Sequence, residues 1–110
     1  MLPLILTAVK DGKTDLNRVV ESASVKPAKR LGLYPRKGCI KVGSDADLVI
    51  IDLKREKTIR GDESLAKIHW TPYEGWKTIG APVTTIVGGV LVYHEGKIVT
   101  KPGMGRLILH

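Results

Sequence analysis

Between Gly32 and Leu53 the hydrophobic period of this chain changes, and that change limits its possible folds more than any other feature. Upstream, apolar residues recur at helical spacing; downstream they run together or alternate. The stretch is punctuated by Gly32, Gly38 and Gly43 and ends in Leu48-Val49-Ile50-Ile51. Four consecutive apolar residues, three of them β-branched, predict a strand buried on both faces. The whole pattern predicts an α+β chain: an N-terminal helical arm over 1–35, then a small antiparallel β-sandwich-like half over 36–110.

Met1 to Lys10 predicts a helix with apolar residues on nearly all sides, Pro3 in its first turn and Asp11-Gly12 to stop it. A helix of that kind is a buried one, and little of this chain is available to bury it. A larger body is therefore expected around it. Thr14 predicts an N-cap for a second helix reaching about Val25, with Leu16, Val19, Val20 and Ala23 as its core stripe. Pro27 to Leu31 predicts a short third helix, closed by Gly32 in a left-handed cap.

Past the junction, Cys39 to Val42 predicts a short strand ahead of a turn at Gly43-Ser44-Asp45. Lys54 to Lys57 predicts a polar turn and Thr58 to Arg60 a brief strand. Asp62 or Ser64 is placed to start a turn of helix through Leu65, Ala66 and Ile68. The aromatic cluster from His69 to Trp76 predicts a satellite core beneath a long loop. Val83–Val87 and Val90–His94 predict a hairpin across Gly88-Gly89, and Glu95-Gly96 a tight turn into Lys97-Ile98-Val99. The apolar end, Leu107-Ile108-Leu109, is expected to dock.

A chain of 110 residues predicts one domain, and its lack of a spanning-length apolar run or signal-peptide layout makes a soluble cytoplasmic protein the expectation. The single cysteine, Cys39, has no disulfide partner and reads as a small apolar residue. The net charge is +7, and Lys26, Lys29, Arg30, Arg36, Lys37 and Lys41 fall between Ser22 and Ser44 with no acidic residue among them. Such a run suits an anionic partner, yet aromatic stacking platforms are sparse, so a solvated or partner-facing surface is the better reading. Asp45 and Asp47 form a D-x-D pair with no third ligand nearby, which favours carboxylates holding a turn over a metal site. His69, His94 and His110 lie far apart, and neither a G-x-S-x-G elbow nor a phosphate-binding glycine loop is present. No catalytic, cofactor-binding or metal-ligating residue is assigned.

Read together, Gly32-Leu33-Tyr34-Pro35-Arg36-Lys37-Gly38, Gly43-Ser44-Asp45-Ala46-Asp47-Leu48-Val49 and Asp52 resemble a junction of the cyclic amidohydrolases, with the dihydroorotase branch nearest. Met1 to Thr7 is similar to the helix after the last barrel strand of that family, and Leu16 to Leu33 to its next helices. Thr71-Pro72-Tyr73-Glu74-Gly75-Trp76, Val83 to Tyr93 and Pro102 to Arg106 resemble its later motifs. The family usually has Asn where Lys26 stands, so the third helix is expected to lose a side-chain cap. The resemblance implies that 1–35 corresponds to the end of a (β/α)₈ barrel and 36–110 to a composite β-sandwich. It also implies a parent acting in pyrimidine biosynthesis, where zinc held by an H-x-H pair, a carboxylated lysine, two more histidines and an aspartate opens or closes a cyclic amide. None of those ligands has a counterpart here, so zinc belongs to the parent family and no cofactor to this chain.

Three functional readings stay open. The chain is a C-terminal fragment of a dihydroorotase-like enzyme, inactive alone; or one part of a split enzyme working with a separate barrel chain; or a basic module for nucleic acid or another anion. Open strand edges and an all-apolar helix predict self-association as a dimer, or binding to the chain that supplies the missing part.

Overall fold

The computed structural model describes residues 1–65 and 67–108. Helix α1 (Leu2–Lys10) is followed by α2 (Leu16–Val20), a π-helical turn (Glu21–Val25) and α3 (Lys26–Arg30). Strands β1 (Leu48–Thr58), β2 (Lys77–Val87), β3 (Val90–His94) and β4 (Lys97–Ile98) form one open antiparallel sheet in the order β1-β2-β3-β4. The chain is thus α+β, and none of the described helices is long and apolar enough to cross a membrane. Its contacts group into two units, one of Met1–Asp15 with Asp52–Ala81, the other of Leu16–Ile51 with Pro82–His110.

In the first unit, α1 lies on β2. Leu6 is only 2% exposed and Ala81 is buried. The approach is close because Gly80 has no side chain: a Cβ there would stand 2.7 Å from Leu6 Cβ, and its φ of +98° suits glycine as well. The Thr7 hydroxyl donates to Pro3 O (2.8 Å) and accepts the Ile79 N–H (3.0 Å), linking residues 72 apart in sequence. Buried Thr78 is satisfied by donating to Lys57 O at 2.9 Å. Gly12, at φ +72°, ends α1 where the sequence predicts.

In the second unit, α2 and α3 are one continuous helical path. Val20, Val25 and Lys26 all keep right-handed helical angles, and the Lys26 N–H reaches back five residues to Glu21 O. Pro27 explains the wider turn, since it has no N–H to return to the preceding turn and its ring needs room. Lys26 therefore starts no separate helix, and the missing family Asn leaves no bare end; its ammonium pairs with Glu21 at 3.4 Å. Gly32 (φ +68°) closes α3 as expected, with Gly32 N–H bonded to Lys29 O and Leu33 N–H to Ala28 O, the Schellman pattern. The β2–β3 hairpin turns at Gly88 and Gly89, both at positive φ, and its register shifts between Thr85 and Ile86. Glu95 and Gly96 turn β3 into β4 as expected.

Several expectations are corrected. Cys39–Val42 is not a strand but part of a loop. Lys54–Lys57 is not a turn, because β1 runs on through Thr58 alongside an equally long β2, and cross-strand pairing overrides weak local preference. Val49 and Ile50 are about half exposed rather than buried. The helical turn at Asp62 is a brief 3₁₀ turn, Gly61–Glu63; Ala66, within that expected helix, lies outside the described residues. Leu107 is exposed instead of docked, and Leu109 also lies outside the described residues.

The Thr7 bridge generates a test. Thr7→Val removes the acceptor of the Ile79 N–H and is expected to cost about 1–3 kcal/mol in urea unfolding. Thr7→Ser, which keeps the oxygen, should lose clearly less.

Candidate functional site

A well-connected polar group among the described residues is built on the loop that follows α3. Its neck is drawn shut from both sides: the Asp45 N–H donates to Arg36 O (2.9 Å), the Ser44 hydroxyl to Pro35 O (2.7 Å), and Arg36 Nε meets Asp45 Oδ2 at 3.0 Å. Lys37 Nζ lies 2.9 Å from Asp45 and also bonds Asp47. At the tip, the Ser44 N–H returns to Lys41 O (3.0 Å) across Gly43 at φ +90°, a turn that asks for glycine. The other Asp47 oxygen accepts the Gly88 N–H (2.7 Å), and Ala46 O accepts the Gly89 N–H (3.0 Å). Asp47 thus ties the loop to the β2–β3 turn.

These contacts set the protonation states. The hydrogen bond from Lys37 is the main cause holding Asp47 below the ordinary carboxylate value, with the Gly88 N–H adding to it. Asp45 is lowered chiefly by the hydrogen bond from Lys37; desolvation opposes this, and the hydrogen bond from Arg36 adds a smaller lowering. Lys37 in turn is raised, first by Asp47 and then by Asp45. Carboxylates held charged and occupied in this way fasten a loop; they are poorly placed to exchange protons with a substrate. The D-x-D pair is therefore structural, as its sequence suggests.

The basic run is less concentrated than it reads. Lys26 is paired with Glu21, Arg36 and Lys37 with the two aspartates, and Lys29 sits 5.1 Å from the centre of the Tyr34 ring. Acidic residues just outside the run in sequence neutralise half of it, which weakens the reading as a nucleic-acid surface. Beside the clamped loop, within the same unit, lies an open apolar groove of about 460 Å³, with Val20, Pro27, Leu31, Leu33 and Val49 among its walls.

Among the described residues, no three His, Cys, Asp or Glu side chains come together where they could hold a metal ion. The zinc that the resemblance implies finds no donor set in them. His94 Nδ1 is engaged by the Thr84 hydroxyl at 3.0 Å, and His110 lies outside the described residues. The aromatic cluster is not the satellite core expected. Tyr73 and Trp76 pack edge to face at 5.3 Å, but Trp70 is 73% exposed and Trp76 more than half. What orders that segment is backbone: Glu74 accepts the Gly61 N–H (2.7 Å), and the Ile59 N–H reaches Trp76 O (2.9 Å). The fastening by Lys37, Asp47 and Gly88 was missed from sequence, because Asp47 and Gly88 are 41 residues apart.

Comparison with known proteins adds an independent line. The model of the amidohydrolase family matches residues 1–92. A dihydroorotase of Pyrococcus furiosus is 43% identical over 107 residues, covering 97% of this chain and 25% of that protein. An L-hydantoinase of Paenarthrobacter aurescens is 39% identical over 108 residues, again 97% of this chain and 24% of the relative. Among solved structures, a D-hydantoinase superposes with a TM-score of 0.93 at 34% identity, over 97% of this chain and 23% of its own. The L-hydantoinase of Arthrobacter aurescens gives 0.88 at 40% identity, over 91% and 22%. The chain spans about a quarter of the length of the curated relatives it matches.

The ion cluster has a defined pH window. Asp45 and Asp47 are lowered from 3.8, so their contribution is present above that value and fades as pH falls through the lower folded-state pKa. Lys37 is raised from 10.5, so its contribution is present below that value and fades as pH rises through the higher folded-state pKa. Protection of the Gly88 amide, its exchange relative to an unstructured peptide at the same pH, is expected to be high between these limits and to fall beyond either. In Asp47→Asn this protection should already be lower at pH 7, with the acid limb flattened.

Proposed function

The chain belongs to the amidohydrolase family, and from that premise we propose that its residues act as scaffold for a cyclic-amide hydrolase whose reacting centre is furnished by other residues. The observation that carries this reading is the alignment itself. Nearly the whole chain matches about a quarter of proteins named for hydrolysing hydantoin or dihydroorotate rings, at identities near 40%. Two features of the chain support a scaffolding part. Its best-connected carboxylates fasten a loop, and its long strand β1 keeps apolar residues at its surface, which favours burial against further protein. Because relatives of both names match at similar identity, the substrate class is the ring amide they share, with dihydroorotate the first ring to test and hydantoin the second.

A complementation assay tests the proposal. The Pyrococcus furiosus dihydroorotase, cut to remove the quarter this chain matches, would be mixed with the purified 110 residues and scored for ring opening of each substrate. Neither piece is expected to turn over substrate alone, and the mixture is expected to be active. Turnover by this chain alone, or a truncated barrel that gains nothing from it, would overturn the reading.

A further inference from the structure

Asp52 ends the junction motif, yet it stands outside the ion cluster of Arg36, Lys37, Asp45 and Asp47. It belongs to β1, the outer strand of the sheet. Its Oδ1 accepts the Lys54 N–H at 2.9 Å, from two residues further along the same strand. The neighbours of Lys54 show which way that amide points. Lys57 O accepts the hydroxyl of buried Thr78 in β2, and just past the strand the Ile59 N–H donates to Trp76 O. Both residues thus turn backbone polar groups toward the β2 side. Such groups alternate in direction along a strand, and Lys54 lies an odd number of positions from each. The Lys54 N–H therefore faces the open edge, and Asp52 occupies it there.

An outer strand offers its unpaired N–H and C=O groups to any other strand, and proteins close such edges by charge, distortion or cover. The character of β1 changes along its length. From Leu48 to Ile51 it is apolar, with Val49 and Ile50 about half exposed; from Lys54 to Lys57 every residue is charged. Asp52 lies between the two. We infer that Asp52 is an autoinhibitory contact on the sheet edge: its carboxylate holds the amide that an incoming strand needs, so pairing at this edge stops short of Lys54. A strand reaching this point would gain one hydrogen bond only by breaking another, and would leave a carboxylate without its donor. The local bond has the advantage, because its donor and acceptor are tethered two residues apart and need no second chain to be ordered. This inference goes beyond the hydrolase reading and does not rest on it.

Sedimentation velocity of the 110-residue chain and its Asp52 variants, with amide exchange read residue by residue, tests it. Asp52→Ala frees the Lys54 N–H and is expected to raise the self-association constant roughly tenfold or more. Its Lys54 amide should be poorly protected when dilute and protected in the assembly. Asp52→Asn keeps an oxygen in the same place and should match the parent chain in both readouts. Circular dichroism matching the parent would show that these exposed-site variants still fold. The parent chain supplies a check that needs no variant: its Lys54 amide should be better protected than that of Glu56, which faces the same edge without such a bond. Absence of that contrast, or association of Asp52→Ala no stronger than the parent's, would overturn the inference. Equal association of Asp52→Asn would do the same, since lost charge rather than a freed amide would then be the cause. So would an assembly that leaves the Lys54 amide unprotected, because another surface would then hold it.

Discussion

So little apolar side chain is buried in this protein that polar fasteners set much of its local structure. Leu6, Ala28 and Ala81 are the buried apolar residues among those described, and two of them are alanines. Burial on that scale gives a small domain little margin against the entropy of ordering its chain. Specific bonds take over the positioning. In one unit the Thr7 hydroxyl joins helix to strand; in the other, Asp47 holds a lysine from the loop and an amide from the hairpin turn. Each replaces hydration of a backbone group with a defined partner, and so selects one arrangement among several that weak packing would allow.

That division between weak packing and specific bonds also explains what could be read from sequence. Features set by local chemistry were legible: the stop of α1 at Gly12, the Schellman closure at Gly32, and the paired turns at Gly88-Gly89 and Glu95-Gly96. Each depends on a residue type whose conformational preference acts over a few positions. Features set by distant partners were not. Cys39-Ile40-Lys41-Val42 has the composition of a strand, but ion pairs at residues 36, 37, 45 and 47 fold it into a loop. Lys54 to Lys57 looks like a turn until β2 is known to be long enough to keep β1 extended. In both cases the deciding partner lies beyond the reach of a local pattern.

The candidate site divides in the same way. The D-x-D pair was legible as structural because nothing near it could complete a metal site, yet its partners Lys37 and Gly88 could not be inferred from spacing. The basic run was legible as a solvated or partner-facing surface, but its pairing was not. Counting charges within a window hid Glu21, Asp45 and Asp47 just outside it, and these pair with half of the basic residues in the run.

The seating of Gly80 on Leu6 reaches beyond this one sequence. The two positions share a single volume, with a would-be Cβ only 2.7 Å from its neighbour. A side chain gained at position 80 would meet the Cβ that every residue but glycine carries at position 6, and the backbone there, at φ +98°, favours glycine whatever stands opposite. The helix can therefore come this near the strand only where the strand has glycine, and relatives that keep the spacing should keep glycine at position 80 whatever apolar residue stands at position 6.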